Sequence, residues 1–97
     1  APSPVEAVVA GVIVLGRADP SGSSPDLDLE PFGAAEKGVS RRHATITVQD
    51  GVFVISDADS ANGTYVNGHR LQPHEAHILQ AGDELRLGRL IARVYLE

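Results

Sequence analysis

Apolar and polar residues alternate along most of this chain, in short runs divided by Gly, Pro, Asn and Asp. Alternation with period two marks a strand that buries one face. Ala44, Ile46 and Val48 interleave with Thr45, Thr47 and Gln49, and Val52 to Ile55 returns after Asp50-Gly51, a hairpin-turn dipeptide. Thr64-Tyr65-Val66 is a very short strand; Asn67-Gly68 is a second dipeptide of that kind, and residues 69–71 return. Residues 7–15 (AVVAGVIVL) read as strand with a break at Gly11, and Asp26-Leu27-Asp28-Leu29 as a short, half-buried strand. Ile78-Leu79 lead to a third turn at Gly82-Asp83, and residues 84–87 and 90–96 close the chain as strands around Gly88. Residues 18–25 and 57–63 are loops, and 30–43 are irregular: Pro31, Gly33 and Gly38 block any long helix, leaving room for one helical turn at 33–37. No stretch holds apolar residues at i, i+3, i+4 and i+7 for three turns. The pattern predicts an all-β fold, a β-sandwich of short, mostly antiparallel strands with ligand loops at one end. Residues 1–6 (APSPVE) read as a flexible lead-in and 7–97 as the domain.

Composition narrows the picture. The 97 residues suffice for one domain, and the apolar 42% is mostly Val, Ile and Leu, residues that favour strands. With no Cys, disulfides and thiol-based metal or nucleophile sites are excluded. No apolar run approaches bilayer-spanning length, and no secretory signal pattern is visible, so no membrane partner and an intracellular, cytoplasmic setting are expected. Because the chain starts at Ala1, it reads as an excerpt from a longer protein. A net charge of −5 argues against sequence-independent nucleic-acid binding, which needs a broad basic surface. A local cationic pocket in an acidic body suits a compact anion instead.

Chemistry-bearing residues gather at strand ends. Gly16-Arg17 follows one strand, Ser40-Arg41-Arg42-His43 precedes another, and Asn62-Gly63-Thr64 lies between two more. Sandwich loops from sequence-distant strands converge at one end. Arg17 and Arg41 carry planar donor forks that match phosphate. Ser40 adds a hydroxyl and a backbone N–H. Asn62 can both accept and donate, as pairing with a peptide main chain requires. Gly63 permits the tight turn that aims it.

The ordered set Gly16-Arg17, Ser40-x-x-His43, Asn62-Gly63-Thr64 and Asn67-Gly68 resembles the forkhead-associated (FHA) domain, over roughly residues 12–96. The resemblance implies a β-sandwich that binds phosphothreonine in a Thr-phosphorylated protein or peptide, within a signalling or regulatory protein of a Ser/Thr kinase pathway. It implies that Arg17, Ser40 and Arg41 contact the phosphate and that Asn62 bonds the peptide backbone beside it. His43 would brace the loop from within, with Gly16, Gly63 and Thr64 in support. Ala61 stands where family members often carry Ser or Thr, so a side-chain phosphate contact is expected to be missing and only the backbone N–H to remain. The segment before Gly16 is short, and the first strand is expected to be abbreviated.

Other readings compete for the same residues. Arg42 reads as a solvated charge. Ser40, His43 and Asp57 or Asp59 include the types of a hydrolase triad, but no nucleophile-elbow sequence surrounds Ser40, and two arginines beside it fit an anion better than an acyl carbon. No enzyme activity and no cofactor are expected. His43, His69, His74 and His77 share no metal-ligand period, so no metal is expected either. A phosphate-independent interaction scaffold, working through a sandwich face or sheet edge, is the alternative function. The isolated domain is expected to be monomeric.

Overall fold

The computed structural model describes residues 11–22 and 24–95. Among the described residues, two sheets account for the strands. The first has the order β2-β1-β3-β4-β7, from β1 (Val12–Gly16), β2 (Leu27–Asp28), β3 (Arg42–Gln49), β4 (Val52–Asp57) and β7 (Ala76–Ile78). The second has the order β6-β5-β8-β9, from β5 (Thr64–Val66), β6 (His69–Arg70), β8 (Glu84–Leu87) and β9 (Leu90–Arg93). All pairings are antiparallel except that of β1 with the two-residue β2. The expected sandwich of short, mostly antiparallel strands is thus the observed architecture.

Alternation decides which side chains meet between the sheets. Leu15, Ala44 and Ile55 from the first sheet join Val66, Leu85, Leu87 and Leu90 from the second in one buried cluster. Removing this apolar surface from water is the main stabilising contribution. The 29–41 connection is anchored in the same cluster through Leu29, Ala34 and Val39, so its position is set by packing. Within it, Glu30–Phe32 forms a 3-10 turn around Pro31, and Gly33 follows at φ 81°. One helical turn then closes by the Lys37 N–H on the Gly33 carbonyl at 3.1 Å, as the sequence suggests for 33–37.

The turns follow their chemistry. Asp50-Gly51 and Asn67-Gly68 both hold positive φ at both central residues, as a type I′ hairpin requires. The turn at Gly82 differs in role: it leads from β7 in one sheet to β8 in the other, with the Asp83 N–H on the Gln80 carbonyl at 3.1 Å. Element ends shift from the sequence reading in a few places. β4 runs on to Asp57, two residues past Ile55, because that stretch still pairs with Thr45 and Ala44. β9 stops at Arg93, where its pairing with β8 ends at Glu84. The expected strand at 26–29 shrinks to Leu27–Asp28. Of the expected strand at 7–15, residues 7–10 lie outside the described residues, as does the lead-in at 1–6.

Candidate functional site

A β-bulge builds the floor of the site. Leu15 pairs with Ala44 and Gly16 with Arg42, so β3 carries one extra residue there, His43. A bulge re-aims the side chain at the extra position. His43 accordingly points inward and is fully buried, although its neighbour Ala44 also faces the core. Gly16 is required opposite the bulge: a Cβ at this position would sit 1.9 Å from the Arg41 carbonyl oxygen. The next residue, Arg17, donates its backbone N–H to that carbonyl at 3.3 Å.

His43 ties two loops together. Its Nδ1 accepts the Ser40 backbone N–H at 3.0 Å, which leaves Nε2 to carry the proton it donates to the Gly63 carbonyl at 2.8 Å. Burial pushes its pKa below the usual 6.5; the Gly63 bond and the nearby Asp57 charge oppose this without cancelling it. The neutral ring is the form the geometry needs, because a protonated Nδ1 would meet the Ser40 N–H donor to donor.

Three loops are laced above this floor. Arg17 Nε donates to the Val39 carbonyl at 2.8 Å, which fixes the guanidinium beside Ser40. Ser40 Oγ accepts the Ala61 backbone N–H at 3.1 Å. Its hydroxyl proton is then free to donate outward. Asn62 Nδ2 donates to the Gly38 carbonyl at 2.9 Å, so Oδ1 is the atom left to accept from a ligand N–H. Both Ala61 and Asn62 are exposed. Arg41 is exposed as well and pairs with Asp19, Nη1 to Oδ2 at 2.9 Å.

The 58–63 loop is held from beneath by Asp57, only 3% exposed. One carboxylate oxygen accepts the Ser60 hydroxyl and, at 2.7 Å, the Thr64 hydroxyl; the other accepts the Ser60 N–H at 3.2 Å. Ser60 Oγ in turn accepts the Gly63 N–H at 3.0 Å. Burial acts to raise the Asp57 pKa, but the Ser60 and Thr64 hydrogen bonds outweigh it, and the carboxyl lies below its usual value. Gly63 sits at φ 90°, where a Cβ would also approach Arg70 Nε to 2.9 Å. The β8–β9 turn props the 33–39 segment from the other side. Arg89 donates its N–H to the Lys37 carbonyl at 2.7 Å and its guanidinium to the Glu36 carbonyl.

The structure therefore brings Gly16, Arg17, Ser40, Arg41, His43, Ala61, Asn62, Gly63 and Thr64 to one end of the sandwich. Arg42 is exposed at the start of β3. Two details differ from the sequence reading. The Ala61 N–H, expected to be available to phosphate, is taken by Ser40 Oγ, and Arg41 is engaged by a carboxylate the sequence reading did not single out. Asp57, Ser60 and Arg89 were missed as supporting residues. For Asp57 a local signal existed: an Asp followed by Ser at three and Thr at seven residues fits side-chain closure of a turn.

The hydrolase arrangement is not assembled. His43 Nδ1 is occupied by the Ser40 backbone N–H, and Asp57 bonds Ser60 and Thr64 while His43 Nε2 bonds Gly63. Among the described residues no group of three or more His, Cys, Asp or Glu is placed to hold a metal ion, and no helix is long and apolar enough to cross a membrane.

The chain is similar to several known proteins. The oxoglutarate dehydrogenase inhibitor of Corynebacterium glutamicum is 45% identical over 51 residues, 53% of this chain and 34% of that protein. The glycogen accumulation regulator GarA of Mycolicibacterium smegmatis is 38% identical over 69 residues, 71% of this chain and 40% of that protein. The chain thus spans well under half the length of these curated relatives. Among solved structures, an FHA domain studied for phosphothreonine-dependent interactions superposes with a TM-score of 0.72 at 30% identity, covering 93% of this chain and 81% of that one. The N-terminal FHA domain of S. cerevisiae Rad53p, in complex with a phosphothreonine peptide, gives 0.62 at 29% identity, covering 79% and 56%. The FHA domain family model matches residues 13–88, and on that match, with the sandwich and its laced loops, this chain belongs to the FHA domain family.

Proposed function

We propose that this chain is a phosphothreonine-dependent binding module that brings its parent protein to a Thr-phosphorylated partner, and that it binds rather than catalyses. The observation that carries the reading is the convergence of Arg17, Ser40 and Asn62, each tethered by one hydrogen bond and each left with free bonding capacity. Arg17 keeps its terminal nitrogens and Ser40 its hydroxyl proton for phosphate oxygens. Asn62 Oδ1 takes a peptide N–H. Because the tethers pre-set these side chains, little rotamer entropy is lost on binding. Membership in the FHA family and the phosphothreonine peptide held by the Rad53p domain support the same ligand.

The direct test is fluorescence polarisation with degenerate peptide libraries, one fixed at phosphothreonine and one at threonine. Hydrogen bonds to a charged group contribute about 1.5–3 kcal/mol each, so Arg17→Ala and Ser40→Ala should each weaken phosphopeptide binding about tenfold or more. Both variants should keep their circular dichroism. Tight binding retained in Arg17→Ala would sink the assignment.

A second reading has its own observation. On the outer face of the first sheet, Val12, Thr47, Val54 and Ile78 form one register row across four strands. Val12 is 61% and Ile78 58% exposed. This uncharged row suits a phosphate-independent contact. Partner binding that survives both Arg17→Ala and phosphatase treatment would favour it.

A further inference from the structure

Arg41 is not waiting for a ligand. Its Nη1 lies 2.9 Å from Asp19 Oδ2, in an ion pair that joins the loop after β1 to the start of β3. The Asp19 side chain is only 14% exposed, while that of Arg41 is 60% exposed. Asp19 is built into its loop: Oδ1 accepts the Ser21 N–H at 2.9 Å, and its carbonyl accepts the Gly22 N–H at 2.9 Å. Its carboxyl is held below the usual range, first by that Ser21 bond, with burial opposing and the charges of Arg41 and then Arg17 adding. Arg41, expected from the family resemblance to contact phosphate, is therefore already engaged by a resident carboxylate.

We infer that Asp19 is the resident counter-ion of the anion site, which an incoming phosphate must displace from Arg41, so that Asp19 sets the threshold and the charge selectivity of binding. The inference rests on the phosphopeptide reading above. A carboxylate ligand offers Arg41 no more charge than Asp19 already does. A phosphate offers nearly twice as much and three acceptor oxygens, so it can replace Asp19 where Asp or Glu cannot. The remaining Asp19 charge then faces the dianion, which lowers affinity at every step.

Asp19→Asn tests this, since Asn keeps an acceptor for the Ser21 N–H and removes the charge. The probe is the degenerate phosphothreonine library, with a library bearing Glu in place of phosphothreonine beside it. The expected result is a gain of about tenfold for the phosphothreonine library. The Glu library should gain measurable affinity as well. In an Arg41→Ala background the gain should be smaller, because only long-range repulsion is left to remove. Asp50→Asn, the same charge change in the β3–β4 turn, should alter affinity less than twofold, and Asp19→Ser serves as a second variant should Asn disturb the loop. No gain in Asp19→Asn and Asp19→Ser, while the wild type binds in an Arg17-dependent way, overturns this inference and leaves the phosphopeptide reading standing. An equal gain in the Arg41→Ala background, or from Asp50→Asn, reduces the effect to net charge and overturns it too. Absence of binding by every protein overturns the reading and the inference together.

Discussion

At the residue scale, His43 shows how burial and hydrogen bonding set a protonation state. The neutral ring joins Ser40 to Gly63, and burial lowers its pKa below 6.5. Between that lowered value and 6.5, the unfolded chain holds a proton that the folded chain refuses. Folding stability should therefore be complete above about pH 6.5 and decline as pH falls through this window. Asp57 also has a lowered pKa, so its contribution is lost only as pH falls below the ordinary carboxylate value of 3.8, well outside the histidine range. Urea denaturation at pH 7.5 and 5.5 reads this directly. The wild type should lose stability between the two. His43→Gln should start lower by about 2 kcal/mol, from the disturbed packing and bonds, and show a flatter pH response. An identical slope in the variant would place the titration elsewhere.

At the element scale, the β1–β3 pair makes the site by departing from regularity. The extra residue in β3 turns His43 inward, and Gly16 is the residue that tolerates the resulting approach of the Arg41 carbonyl. Gly16→Ala should lower stability by about 2–3 kcal/mol or prevent folding, since the clash is with backbone and cannot be relieved by a rotamer. A urea midpoint unchanged from wild type would contradict the bulge geometry. The strands themselves were legible because Ala44-Thr45-Ile46-Thr47-Val48 alternates cleanly and because Asp-Gly and Asn-Gly demand one turn type. The cluster of site residues was legible through Gly16-Arg17, Ser40-x-x-His43 and Asn62-Gly63-Thr64 taken in order. The pairing of β4 with β7, the grip of Arg89 on Glu36 and Lys37, and the Asp19–Arg41 ion pair were not legible. Each joins residues far apart in sequence through a backbone path that no local pattern encodes. The limits of β9 escaped for a related reason: Val94 and Tyr95 favour strand by type, but the ladder with β8 ends at Arg93 and Glu84, and Val94 bonds the turn residues Gly82 and Asp83 instead.

At the scale of the whole molecule, the chain carries a net charge of −5 while Arg17 and Arg41, joined by a backbone hydrogen bond, lie at one end of the sandwich. An acidic body repels polyanions over a Debye length and leaves short-range geometry to select a compact dianion. Such a site should respond to the ionisation of its ligand. A phosphothreonine dianion takes up a proton near pH 6, its second ionisation, losing charge and an acceptor. Burial lowers the His43 pKa, so its ring takes up a proton at lower pH than a free imidazole would. Affinity for a phosphothreonine peptide should therefore fall from pH 7.5 to pH 5.5 by several-fold. The fall should follow the ligand: with a difluoromethylene phosphonate analogue, whose second ionisation is more acidic, the midpoint should move to lower pH by the same interval. Titration by fluorescence polarisation across that range, with both ligands on the wild type, separates the two sources. A midpoint that stays fixed when the ligand's acidity changes would move the titrating group into the protein, and His43 with its bonds to Ser40 and Gly63 would be the first place to look.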